Sequence, residues 1–141
     1  MKAKKGFTLI ELMVVILIVG ILAAVSVPLM RGRIDSAKWS EANAAAGSIR
    51  SAVRAYMAEK GPNHDFSDVE GSLSTTAIHS RLGFASNDLD GSYFNQADYT
   101  IDSVDAANGT CVITVDGSGS ANTESPDGTG TLSADGSWEV Q

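Results

Sequence analysis

Lys5-Gly6-Phe7-Thr8-Leu9-Ile10-Glu11 runs without a break into Leu12-Met13-Val14-Val15-Ile16 and on through Val25. Between Phe7 and Met30 the one ionisable side chain is Glu11, and Leu12 to Val25 holds only apolar residues and Gly20. About 20 mostly apolar residues cross a bilayer core as a helix, so this stretch predicts one membrane-spanning segment over 7–30. Lys2, Lys4 and Lys5 precede it. Basic flanks stay on the cytoplasmic side, which puts the rest of the chain on the outer face.

Glu11 is the anomaly in this segment. A charged side chain in hydrocarbon costs about 2.5 to 3.5 kcal/mol on insertion scales, so such a group marks a functional site and calls for a partner. The plainer alternative is a glutamate near the membrane edge that snorkels to the interface. A second alternative treats the whole segment as a secretory signal cut near Ala24-Val25-Ser26. Against that, the apolar run exceeds the usual 7 to 15 residues of such signals, and helical patterning continues from Arg31 to Lys60.

The residues from Lys5 to Ile16, with Gly20 and Pro28 further on, resemble the N-terminal region of type IV pilins and of the pseudopilins of type II secretion. The likeness is close over Lys5 to Pro28, looser to Lys60, and architectural beyond. It implies a leader over 1–6 cleaved between Gly6 and Phe7 by a prepilin peptidase, with Phe7 becoming an N-methylated first residue. It assigns assembly to Glu11 together with Thr8, and helix flexibility to Gly20 and Pro28. It further implies a homopolymer held through N-terminal helices and served by an inner-membrane assembly platform with its ATPase. The location implied is the bacterial inner membrane as a single-pass precursor, then an extracellular pilus or a periplasmic pseudopilus.

Physical chemistry gives Glu11 a reason of its own. Cleavage after Gly6 would expose a cationic amine at Phe7, which a carboxylate four residues along the helix can meet on a neighbouring subunit. Breaking a buried ion pair leaves an uncompensated charge worth about 3 to 5 kcal/mol, so such a pair is a good register device.

Beyond Met30 the pattern becomes one-sided. Ile34, Ala42, Ala45 or Ala46, Ile49, Ala52 or Val53, and Tyr56 with Met57 recur at three- and four-residue steps, which predicts an amphipathic stem over 31–60. Gly61-Pro62-Asn63 ends it. From Phe7 to Lys60 such a helix approaches roughly 80 Å at about 1.5 Å per residue. Pro28 removes a backbone donor, so a kink or local melt is expected around Ala24 to Pro28, unless the membrane helix tolerates it.

Residues 61–141 form the exposed region. From position 62 onward there are thirteen acids against one base, Arg81, a net charge of −12, whereas the whole chain carries −7. This half repels nucleic acid, and no direct nucleic-acid binding is expected. Strands are predicted at about 99–104, 110–116, 130–133 and 137–140, from β-branched runs separated by Asp105-Ala106-Ala107-Asn108-Gly109 and by Ala134-Asp135-Gly136. Ser74 to Leu82 has weak helical character, and Asp116 to Gly130 reads as a long flexible loop. The fold class expected is α+β: a long N-terminal helix, transmembrane then amphipathic, laid on a small antiparallel sheet. This is also the pilin fold that the resemblance implies.

Cys111 is the only cysteine, so the C-terminal loop cannot carry the cysteine pair of many type IV pilins. A single cysteine in an apolar strand reads as a small buried hydrophobe. Major pseudopilins hold that loop with calcium, and Asp88, Asp90, Asp116, Glu124, Asp127 and Asp135 supply hard oxygen ligands. Their spacing matches no EF-hand, and a solvated acidic loop explains them without an ion. His64 and His79 lack zinc-ligand spacing with each other or with Cys111. No phosphate loop, nucleophile elbow or paired catalytic carboxylates appear, so neither an enzyme nor a cofactor is expected. A structural filament subunit is favoured over a monomeric, membrane-anchored binding module. A type IV pilus-like filament is the reading adopted, with a pseudopilin of type II secretion as the alternative.

Overall fold

The structure, a computed structural model, describes residues 6–141. Lys2, Lys4 and Lys5 of the expected leader lie outside them. Helix α1 spans Leu9–Lys60, and the chain divides into two compact units between Ser36 and Ala37. That division differs from the boundaries expected at 30/31 and 60/61. The reason is local: Lys38 and Trp39 are the first stem residues with substantial cover, so the remainder of the stem clusters with the C-terminal region.

The first unit is helical from Leu9 onward. Its most apolar window has a mean hydropathy of 2.9, and none of that window is buried. The melt expected between Ala24 and Pro28 is absent, since α1 is helical at every one of its 52 residues. Pro28 deletes a single amide donor, and the bonds on either side keep the turn in register. Ile34, expected on the buried stripe, is 49% exposed because it precedes the point where the C-terminal region covers the helix.

The second unit packs the stem on a sheet. Trp39, Ala42, Ala46, Ile49, Val53, Tyr56 and Met57 are its buried helical residues, spaced by threes and fours as one face of a 3.6-residue helix requires. Gly61 closes α1 by donating its amide to the Met57 carbonyl at 2.9 Å. A 3-10 turn at Phe66–Val69 follows, then strand β1 (Gly71–Ser72), helix α2 (Thr76–Arg81) and a second 3-10 turn at Gln96–Asp98. Strands β2 (Tyr99–Asp105), β3 (Thr110–Asp116), β4 (Thr129–Leu132) and β5 (Trp138–Val140) complete an antiparallel sheet in the order β1-β2-β3-β4-β5.

Register explains which side chains are inside. Ile101, Ile113, Leu132 and Trp138 align across four strands, and Tyr99, Val115 and Gly130 form the next row on the same face. Their partners on the other face are Thr100, Thr114, Thr131 and Glu139, aligned likewise and polar. Ile101, Ile113 and Val115 are at most 1% exposed, and Ile49 and Val53 of the stem are fully covered. Burying side chains of this size stabilises by about 1.5 to 3 kcal/mol each.

The aromatic end of the core depends on a glycine. Trp39 lies 5.1 Å from Phe94 and 6.2 Å from Trp138, measured between ring centroids. A β-carbon at Gly130 would collide with both indoles, so this strand position has to be bare for the two tryptophans to meet.

The loop after β3 is not free. Gly117 and Gly128 bond across its base at 2.9 Å, Ser120 donates to Asp98 at 2.6 Å, Asn122 donates to the Ser92 carbonyl at 2.9 Å, and Lys38 donates to the Glu124 carbonyl at 2.6 Å. The Ser125 hydroxyl donates to the Tyr93 carbonyl, and Pro126 is buried. Small polar side chains, taken from sequence as a sign of flexibility, here supply the tethers.

Candidate assembly site

Helix α1 opens with Thr8 as its cap. The Thr8 amide donates to Oε2 of Glu11 at 2.8 Å, the Thr8 hydroxyl donates to the same oxygen at 2.7 Å, and the Glu11 amide donates back to Oγ1 at 3.4 Å. This is a capping box, in which a threonine and an acid three residues later satisfy amides that the first helical turn leaves without intrahelical partners. Its signature, Thr-x-x-Glu before an apolar run, stands in the sequence at Thr8 to Glu11. The carboxylate expected to need a partner from another copy therefore has one within its own chain already. Phe7, the residue before the cap, is 84% exposed.

Gly20 and Pro28 lie farther along the same helix, on turns whose large apolar neighbours are all exposed. The structure brings neither of them into contact with the Thr8–Glu11 cluster.

A second carboxylate on α1 was not singled out by sequence. Glu41 accepts amides from Ser92 at 3.1 Å, Tyr93 at 2.8 Å and Phe94 at 3.3 Å, fastening the segment before the second 3-10 turn to the stem. A β-carbon at Gly91 would meet the Glu41 carboxylate, so a side chain there would push that carboxylate away from the amides it accepts. At the far end of the stem, Oδ2 of Asp68 accepts from the Tyr56 hydroxyl at 2.8 Å and lies 3.5 Å from Nε of Arg81. The bond to Asp68 holds the Tyr56 phenol above its ordinary pKa.

The six carboxylates considered for calcium are dispersed over separate turns. Asp88 accepts from the Ala85 amide at 2.7 Å, Asp90 from Gln96 at 2.7 Å, Asp116 from Gly119 at 3.0 Å and Asp135 from Ser137 at 2.9 Å. Among the described residues no three potential ligands cluster. His79 is buried and its Nδ1 donates to the Phe84 carbonyl at 3.0 Å, while His64 stands edge-on to Phe66 and Tyr56. Cys111 is buried in β3, and burial pushes its thiol pKa up, as befits a packing residue.

An apolar helix with one capped carboxylate, continuing into a stem buried on a small antiparallel sheet, is consistent with the pilin fold. Comparison with known families agrees. Residues 1–27 match the prokaryotic N-terminal methylation motif. The chain is 47% identical over 60 residues to the fimbrial protein EcpC of Eikenella corrodens, covering 43% of this chain and 39% of that one. It is 49% identical over 53 residues to a fimbrial protein of Moraxella nonliquefaciens, covering 38% and 34%. It is 52% identical over 58 residues to the type IV major pilin protein PilE1 of Neisseria gonorrhoeae, covering 41% and 35%. The chain thus spans less than half the length of the curated relatives it matches. No solved structure gives a significant match. Through its N-terminal segment the chain is similar to type IV pilins.

Proposed function

We propose that this chain is the structural subunit of a type IV pilus-like filament. In this reading it enters the inner membrane as a precursor, is cleaved between Gly6 and Phe7 by a prepilin peptidase and is methylated at the Phe7 amine. An assembly platform driven by an ATPase then adds it to a helical polymer at the cell surface. One observation carries the reading: every large apolar side chain from Phe7 to Met30 is between 48% and 84% exposed, on a segment whose single charge is Glu11. A surface of that kind is stable only in lipid or against others like it. Lipid accommodates the apolar residues but not the acid, whereas a bundle of the same helices accommodates both, provided each acid meets the Phe7 amine of another copy.

Gly20 and Pro28 then bracket the part of α1 that unwinds as subunits enter the polymer. A secretion pseudopilus is the second reading, favoured by the single cysteine of the chain, which rules out the paired cysteines of many pilins.

The test is expression of Glu11→Ala beside the native chain in a host carrying the assembly machinery, with filaments counted by electron microscopy and the mature N-terminus read by mass spectrometry. The expected result is a chain beginning at N-methylated Phe7 in both, with filaments lost in the variant. Normal filament number and length in Glu11→Ala, or a native chain that retains its lysines, contradicts the proposal. So does a native chain that remains monomeric.

A further inference from the structure

Helix α2 and the segment that leads into the second 3-10 turn share a cavity of about 250 Å³ with polar walls. Among the described residues that line it, Ala97 alone is apolar and none is a lysine or an arginine. His79 is its most buried member, at 4% exposure. The imidazole is held still: the His79 carbonyl accepts the Phe84 amide at 2.9 Å, and Nδ1 lies 3.0 Å from the Phe84 carbonyl. A carbonyl can only accept, so the ring proton sits on Nδ1 and the neutral imidazole presents Nε2 as an acceptor. Nε2 has no hydrogen-bond partner among the described residues. Leaving a buried acceptor unpaired costs free energy, so this nitrogen calls for a donor.

Thr76, Ser86 and Asn87 line the same cavity, and their side chains make no hydrogen bond to any described residue. Asp90 accepts the Gln96 amide on Oδ1 at 2.7 Å and keeps Oδ2 without a partner among the described residues. The cavity therefore combines two acceptors, His79 Nε2 and Asp90 Oδ2, with hydroxyl and amide groups that donate as well as accept. An anion meets a carboxylate there and no base. An apolar ligand finds no apolar wall, and a metal ion finds no cluster of three ligands. A ring of hydroxyls satisfies every group, because each hydroxyl donates to one wall and accepts from the other. The volume lies below the about 300 to 1,000 Å³ of pockets for drug-sized ligands, which limits the occupant to a single ring.

We propose that this cavity binds one ring of a neutral sugar, with His79 Nε2 and Asp90 Oδ2 accepting from its hydroxyls and Thr76, Ser86 and Asn87 donating to its oxygens. The inference concerns a single copy and is independent of the filament reading. Asn87 offers a clean variant. It holds a φ of 68°, in the left-handed region, so Asn87→Gly keeps the backbone and removes only the amide.

The experiment uses the full chain in micelles of a detergent without a sugar headgroup. Glucose, galactose, mannose and N-acetylglucosamine are each titrated into the native protein, Asn87→Gly and Thr76→Val, and binding is read by saturation-transfer NMR and by amide shifts of the protein. At least one sugar is expected to bind the native chain in the millimolar range, with the largest shifts at Thr76, His79 and Ser86 to Asp90. Each variant should weaken that sugar roughly fivefold, the scale of one hydrogen bond, with the thermal melting of the second unit unchanged. No saturation transfer to any of the four sugars overturns the proposal. Binding that is equally tight in both variants, or that shifts amides elsewhere, also overturns it, because the sugar then sits outside this cavity.

Discussion

Two glutamates on one helix do opposite work, and their surroundings decide which. Glu41 faces its own fold, where three backbone amides converge on it and Gly91 leaves room for its carboxylate. Hydrogen bonds to a charged acceptor contribute about 1.5 to 3 kcal/mol each, with less for those that are long or partly solvated. Glu41→Ala should therefore destabilise the C-terminal unit by about 2 to 4 kcal/mol, read as a lower denaturant midpoint with an unchanged slope. A change below about 0.5 kcal/mol, the range of an ordinary surface substitution, would show that the loop holds itself. Glu11 has the opposite setting: among the described residues Thr8 is its one hydrogen-bond partner, on a segment that is otherwise apolar from Leu9 to Val25. These residues also differ in how they could be read. The capping box is contained in four consecutive residues and is legible from the sequence alone. The partners of Glu41 lie 51 to 53 positions away, and no local pattern points to them.

At the scale of elements, β2 and β3 were legible because β-branched residues fill them, and the stem because its apolar residues recur at helical spacing. Strand β1 was not legible: Gly71 and Ser72 have low strand propensity, and only pairing with Ile101 and Thr100 makes them a strand. Trp39 extends the buried stripe one step toward the N-terminus, and that step depends on Phe94 and Trp138 arriving from distant positions.

Turns in this protein are closed by aspartates, and this gives them a pH dependence. Asp65 accepts from Ser67, Asp105 from Asn108 and Ala107, and Asp135 from Ser137, and these bonds hold each carboxyl below its ordinary pKa of 3.8. A carboxyl lowered in the folded state contributes stability that is complete above the ordinary value and is lost as pH falls through the lowered one. The melting temperature of a variant carrying Asp65→Asn, Asp105→Asn and Asp135→Asn should thus lie below that of the native chain at neutral pH, with the gap closing below about pH 4. A gap that stays constant down to pH 2 would show that these turns do not sense the protons.

For the whole molecule, charge and apolar surface are segregated along the chain. The C-terminal region carries thirteen of the seventeen acids, the stem most of the base, and the first helical segment neither, save Glu11. On the filament reading proposed above, the apolar segment belongs to the centre of the polymer and the acidic region to its coat. The sequence made the apolar segment and its lone acid plain. On the proposed reading the acid's partner belongs to another copy, and a contact between copies leaves no periodic trace in one chain.

That partner can be measured. Filaments assembled from a mixture of subunits, some labelled with nitrogen-15 at the Phe7 amine and others with carbon-13 at the Glu11 carboxyl, report by solid-state NMR only distances between different copies. Dipolar dephasing corresponding to a separation of about 4 Å or less, an ion-pair distance, is the result the account predicts. Filaments in which the Glu11 carboxyl shows no dephasing from the amine of any neighbour would contradict it.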